Sequence, residues 1–170
     1  MRVLVCGDRN WAHRYRFVGD EDDHGLLKLG DKGWEDYLYM MEVLDETKLL
    51  SGIDKIIQGK ARGADQLARF WAHTRGVPFR DFEAHWDLYG NSAGPIRNRL
   101  QLKNGKPHLV IAFHRAFHQS KGTADMVKIS REAGVKCWCS RIDDSQIQGG
   151  RPGCLARNDQ CRNHGLSHVG

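Results

Sequence analysis

Apolar residues fall in short bursts along this chain, separated by polar stretches that contain glycine. "RVLVC" (2–6) turns apolar at Val3 and stops at Gly7. A continuous run of that length suits a strand buried on both sides, as in a parallel sheet. "DKIIQG" (54–59) repeats the pattern, "HLVIAF" (108–113) is the most hydrophobic run and the candidate central strand, and "VKCWC" (135–139) closes the series. "VPFRDFEA" (77–84) alternates instead, which predicts a more exposed strand.

Between these runs the period lengthens to that of a helix. "WEDYLYMMEVLDETKLL" (34–50) has apolar residues at 34, 37, 38, 41, 44 and 49, one face of a helix, and Ser51-Gly52 can end it. "ADQLARFWAHTRG" (64–76) puts Leu67, Phe70 and Trp71 on one side, with Gly76 as its stop. "GPIRNRLQLKNG" (94–105) has Pro95 in a first turn, where its missing N–H costs nothing, and "GTADMVKISREAG" (122–134) opens on Gly122-Thr123. Strand and helix alternate throughout. The expectation is an α/β fold, a Rossmann-like open parallel sheet of about five strands with helices on both faces.

Two stretches stand outside the alternation. Residues 8–33 are polar and glycine-punctuated, a long loop or insertion, and residues 141–170 lack periodicity and apolar content. The chain is therefore read as one domain over residues 1–140 and an irregular tail over 141–170, either zinc-binding or disordered.

Ligands of open α/β sheets bind outside the carboxyl ends of the strands. The segments expected there are "GDRNW" (7–11), "GKARGAD" (59–65), "AHWDLYGNSAGPIRN" (84–98) and "HRAFHQSKGTAD" (114–125). Gly59 and Gly63 let backbone approach a phosphate, Arg62 supplies a forked cation, and Asp65 caps the helix or holds a ribose hydroxyl. The plainer alternative is a tight loop with an N-cap. Arg97, with the helix starts at 63–65 and 122–123, completes the expected phosphate site, and Asp8 and Asn98 join the ligand set. Trp11, Trp86 and Tyr89 are placed to stack a base, worth ~1–3 kcal/mol, or equally to pack a loop onto the sheet. His85, His114 and His118 lie on the same rim.

Composition narrows the picture. At 170 residues and a net charge of +5, the chain is large enough for a real core and mildly favours anionic partners. Its basic residues are interspersed with acids, so nucleic acid is not the favoured partner. No apolar run is long enough to span a bilayer, and residues 1–11 do not form a signal peptide, so a cytoplasmic setting without membrane contact is expected.

"RVLVCGDRNW", "IIQGKARGADQLARFWA", "HWDLYGNSAGPIRNRLQL" and "LVIAFH…KGTADMV", in that order over residues 2–139, together resemble the SLOG superfamily. The likeness is closest to its YspA-like branch, related to YpsA. The superfamily also includes the LOG phosphoribohydrolases and the DNA-processing protein A. The resemblance implies a nucleotide-derived ligand, no required cofactor and a homo-oligomer. It carries ligand roles to Gly7, Arg9, Gly59, Arg62, Gly63, Asp65, Gly122 and Thr123. In LOG enzymes an arginine before the fourth strand and the glutamate of "PGGxGTxxE" cleave the base–ribose bond. Arg97 matches that arginine. "HRAFHQSK" replaces Pro-Gly-Gly, and Met126 stands at the glutamate position. Asp125 is one place early, a turn of ~100° around a helix. It is the candidate catalytic partner of Arg97, or else a first-turn acid favourable to the helix dipole.

Cys137, Cys139, Cys154, Cys161, His164 and His168 make a zinc-like set late in the chain, though without tight C-x2-C pairs. The alternative is free thiols. Three functions stay open: a binder that senses or sequesters a nucleotide signal, a nucleotide-processing enzyme such as a phosphoribohydrolase, and, more weakly, a nucleic-acid-associated protein.

Overall fold

A computed structural model describes residues 1–12, 16–18, 26–28, 31–115 and 120–140. The chain forms β1 (Arg2–Gly7), β2 (Arg16–Val18), β3 (Leu26–Lys28), α1 (Asp31–Ser51), β4 (Lys55–Gln58), α2 (Ala64–Thr74) and β5 (Phe79–Asp81). Then come α3 (Trp86–Tyr89), a 3-10 turn (Gly90–Ser92), α4 (Ala93–Leu100), a π-helical turn (Gln101–Gly105), β6 (Leu109–Phe113), α5 (Lys121–Glu132) and β7 (Lys136–Ser140).

Five strands make one parallel sheet in the order β5-β4-β1-β6-β7. The expected Rossmann-like α/β architecture is borne out. β1 lies in the middle, and β6 is paired on both sides, as its apolar run requires. The chain steps from β1 to β4 and β5 on one side, then returns to place β6 on the other. That reversal opens a crevice between the ends of β1 and β6.

Alternate residues of β1 divide the core. Val3 and Val5 face Met40 and Leu44 of α1 and Leu67 and Trp71 of α2. Leu4 faces the other layer, with Ile57, Val110 and Met126 of α5. Asp45 ties α1 to α2, accepting from Trp71 Nε1 at 2.9 Å and from Arg75 Nε and Nη2 at 2.9 and 2.8 Å. These bonds hold the Asp45 carboxyl below the usual range.

The structure departs from expectation in three places. The stretch 8–33 contains a two-stranded antiparallel pair, β2 with β3, each strand too short to leave a period. The strand expected over 77–84 shrinks to three residues. The helix expected over 94–105 widens into the π turn after Leu100. There Gly105 packs on Ile57, where an added Cβ would lie 3.0 Å from Ile57 Cδ1, and Lys106 leaves in the left-handed region at φ 49°.

Candidate functional site

The loop after β1 is built on Gly7. A Cβ there would lie 2.1 Å from the Phe113 carbonyl oxygen, so only glycine lets the ends of β1 and β6 close up. Asp8 N donates to that carbonyl at 2.8 Å, and Asp8 Oδ1 accepts from Asn10 N at 2.8 Å. Trp11 turns inward, fully buried, 5.5 Å from the Phe113 ring, with its Nε1 donating to the Asp36 carbonyl at 3.2 Å. It packs the loop onto the sheet. Asp36 of α1, 1% exposed, accepts from Ala12 N at 3.1 Å and takes both prongs of Arg115, Nη2 at 2.6 Å and Nε at 3.3 Å. One buried carboxylate therefore joins the loops after β1 and β6.

The loop after β4 serves the chain in a way its spelling conceals. Gly63 has φ 89° and ψ −130°, a region essentially reserved for glycine. A Cβ there would lie 2.1 Å from Asp8 O and 2.7 Å from Arg9 Cα. Ala64 N donates to Asp8 O at 3.2 Å, and Arg62 donates to Arg9 O and Asn10 Oδ1 at 3.2 and 2.8 Å. The start of α2 and Arg62 thus dock the first loop, where a phosphate was expected. Nor does Asp65 cap α2, whose N-cap is Gly63 without a side-chain bond. Its Oδ2 accepts from Gly59 N at 2.9 Å and Ala61 N at 3.4 Å, and lies 3.6 Å from Arg97 Nη1.

Arg97 crosses beneath this loop. Nη1 donates to Gly59 O at 2.7 Å and Nε to Asn98 Oδ1 at 3.1 Å, while Nη2 bonds no other described residue. A Cβ at Gly59 would sit 1.5 Å from Nη1, so a side chain there would displace the guanidinium. Asn98 Nδ2 reaches Gly122 O at 3.2 Å and Asp125 Oδ2 at 2.8 Å, fastening α4 to the start of α5. At that start Ser120 is the N-cap, its Oγ accepting from Thr123 N at 3.2 Å. Among the described residues the N–H groups of Lys121 and Gly122 meet no acceptor, and a Cβ on Gly122 would meet nothing within 4 Å.

These loops enclose a cleft of about 550 Å³ at the switch point, within the range of small-molecule sites. Arg9, Arg97, Arg115 and Lys121 line it against the carboxylates of Asp8 and Asp65. Arg9 and Lys121 are exposed at the mouth; Asn98, Gln101, Asp65 and Thr123 are buried deeper. Cys6 also lines it, but burial pushes its thiol well above the ordinary value, so it is no thiolate nucleophile.

Burial raises the Asp65 carboxyl from 3.8 to about 6, against the opposing pull of Arg97 and the Gly59 and Ala61 N–H groups. Between those values the folded chain binds more protons than the unfolded one. The contribution to stability is complete below about pH 4 and lost as pH rises through about 6, some two units or ~3 kcal/mol. Asp65→Asn removes it. Urea unfolding is expected to show wild type gaining on the variant by ~3 kcal/mol between about pH 7 and pH 4.

Of the expected site residues, the cleft gathers Gly7, Asp8, Arg9, Asp65, Arg97, Asn98, Gly122 and Thr123. Gly59, Arg62 and Gly63 support it from behind. Asp125 is not part of its lining and faces Asn98. Trp86 and Tyr89 stand outside, half exposed, with Arg9 Cζ 5.6 Å from the Trp86 ring. His114 lines the cleft, His85 is exposed, and His118 lies outside the described residues. So do Cys154, Cys161, His164 and His168; Cys137 and Cys139 lie on β7. Among the described residues no cluster of His, Cys, Asp or Glu is placed to hold a metal. The sequence reading missed Arg115, Gln101, Asn10, Ser120 and Lys121. Lys121 and Ser120 beside Gly122-Thr123 carried a signal, a cap followed by a cation; Gln101 carried none.

The fold and the cleft at its switch point define a Rossmann-like α/β protein with an anion-favouring mouth. The family model of the YspA, cpYpsA-related SLOG family matches residues 27–89, and the resemblance noted in the sequence is borne out there. The match spans α1, the loop after β4, and α3; the first loop, Arg97 and the start of α5 lie beyond it. It supports a nucleotide-related Rossmann-like role. No curated protein and no solved structure matches the chain. Among the described residues no helix is long and apolar enough to cross a membrane.

Proposed function

We propose that the cleft binds a phosphorylated nucleoside derivative and that the protein senses or sequesters it without turning it over. One observation carries the reading. The start of α5, Lys121, Arg9 and Arg97 line a single crevice at the switch point. Helix dipole and cations act there on the same anion. Asp125, the candidate partner of Arg97, is engaged by Asn98 Nδ2 at 2.8 Å outside the cleft lining, which argues against cleavage by that pair.

A second reading has its own support. Asp65 lines the cleft with its carboxyl raised to about 6, and a carboxylate beside a sugar is what base–ribose cleavage needs. Mass spectrometry of small molecules released from the purified protein, followed by incubation with a nucleotide panel, separates the two. A retained, unchanged nucleotide supports the binder, and free base supports the enzyme. Arg9→Ala and Lys121→Ala are each expected to weaken nucleotide binding ~3- to 10-fold and to flatten its salt dependence, because both charges stand at an exposed mouth.

A further inference from the structure

Gln101 opens the π-helical turn behind α4 and is 1% exposed, yet it lines the cleft. Its carboxamide makes no hydrogen bond to another described residue. Nor is it sealed in packed protein, for Ser140 Oγ is the sole fully enclosed, unpartnered side-chain polar atom among the described residues. Gln101 belongs to the buried part of the cleft lining, its floor, and its amide is left for a ligand. Its neighbours are already committed. Asn98 spends its amide on Gly122, Asp125 and Arg97, and Thr123 Oγ1 accepts from Ser120 Oγ at 2.9 Å.

A buried amide that bonds nothing is costly, and a ligand offering it both a donor and an acceptor recovers that cost. Among the described residues the lining contains no Phe, Tyr or Trp on which a base could stack. With the phosphate held at the cationic mouth, the group covalently next to it, the sugar, is the one that reaches the floor. Resting on the nucleotide reading of the cleft, we infer that Gln101 determines specificity by holding the ligand's vicinal ribose hydroxyls, Oε1 accepting from one and Nε2 donating to the other.

The test uses isothermal titration of the full chain with adenosine 5′-monophosphate and its 2′-deoxy and 3′-deoxy analogues, with inosine 5′-monophosphate as the control for the base. Wild type is expected to bind each deoxy compound ~10-fold more weakly, since each leaves one end of the amide unpaired. Gln101→Leu and Gln101→Met are expected to bind all three alike, at the deoxy level, with melting temperatures near wild type. Equal binding of the three by wild type overturns the assignment whether or not the variants fold. So does a preference that survives in either variant, or a preference for adenine over hypoxanthine nucleotide with indifference to the hydroxyls, which would make Gln101 a reader of base edges. Failure of wild type to bind any of them overturns the nucleotide reading itself, and this assignment with it.

Discussion

Replacing Gly63 by alanine is expected to lower the stability of the fold by about 3–5 kcal/mol, the largest effect of any single methyl group in this site. Two costs combine. At φ 89° and ψ −130° an L-residue is strained by ~1–3 kcal/mol before it touches anything. The new Cβ would then meet backbone, Asp8 O at 2.1 Å and Arg9 C at 2.7 Å, which cannot swing aside as a side chain can. The loop after β1 must lift, breaking the Ala64 N to Asp8 O bond and moving Arg9 from the mouth of the cleft. Gly76→Ala is the control. It shares a positive φ, 62°, but nothing lies within 4 Å, so its cost is about 1 kcal/mol of backbone strain alone. Thermal melts of the two variants should therefore differ widely. Equal midpoints would show that the first loop does not press on Gly63 in solution.

The second large effect concerns Arg97→Met, which keeps the bulk of the side chain but removes its charge. Three contacts go: Gly59 O at 2.7 Å, Asn98 Oδ1 at 3.1 Å and the Asp65 carboxylate at 3.6 Å. Asp65 is then a buried anion facing no guanidinium, and breaking one side of such a pair costs ~3–5 kcal/mol. The sign of the pH dependence follows from the direction of the Asp65 shift. Its folded carboxyl is already raised to about 6, and losing Arg97 raises it further. The deficit against wild type is thus greatest at neutral pH and shrinks on acidification, as the variant takes up the proton that cancels the unpaired charge. Nucleotide affinity is expected to fall ~10- to 100-fold at neutral pH through the loss of the Arg97 charge from the cleft lining. Denaturant titrations of the two proteins at about pH 7 and pH 5 check the stability claim. A deficit independent of pH would show that Arg97 and Asp65 are not coupled.

Much of the fold can be read from the sequence because it rests on neighbours in the chain. The run at 109–113 is apolar at every position because β6 is covered on both faces and paired on both edges. Ser51-Gly52 ends α1 as written, with Gly52 at φ 66° and its N–H on Lys48 O at 3.0 Å. The site is different. Trp11 looks like a rim aromatic only until Asp36, twenty-five residues later in the chain, accepts from its indole N–H. Gln101 reads as one more polar residue on a helix, and nothing near it announces the π turn that brings its amide to the cleft.

The chain's own spelling therefore determined the alternation of strands and helices, the crowding of glycine and arginine into the loops at one edge of the sheet, and the family likeness. Each depends on local period and turn chemistry, which the residues carry with them. Only the tertiary structure decided what each glycine is for. Gly7 yields to Phe113 O, Gly59 to Arg97 and Gly63 to the first loop, while Gly122 is left facing open space. A missing Cβ looks the same in a sequence whether chain or ligand fills the space. The difference lies in atoms that only folding brings within a few ångströms.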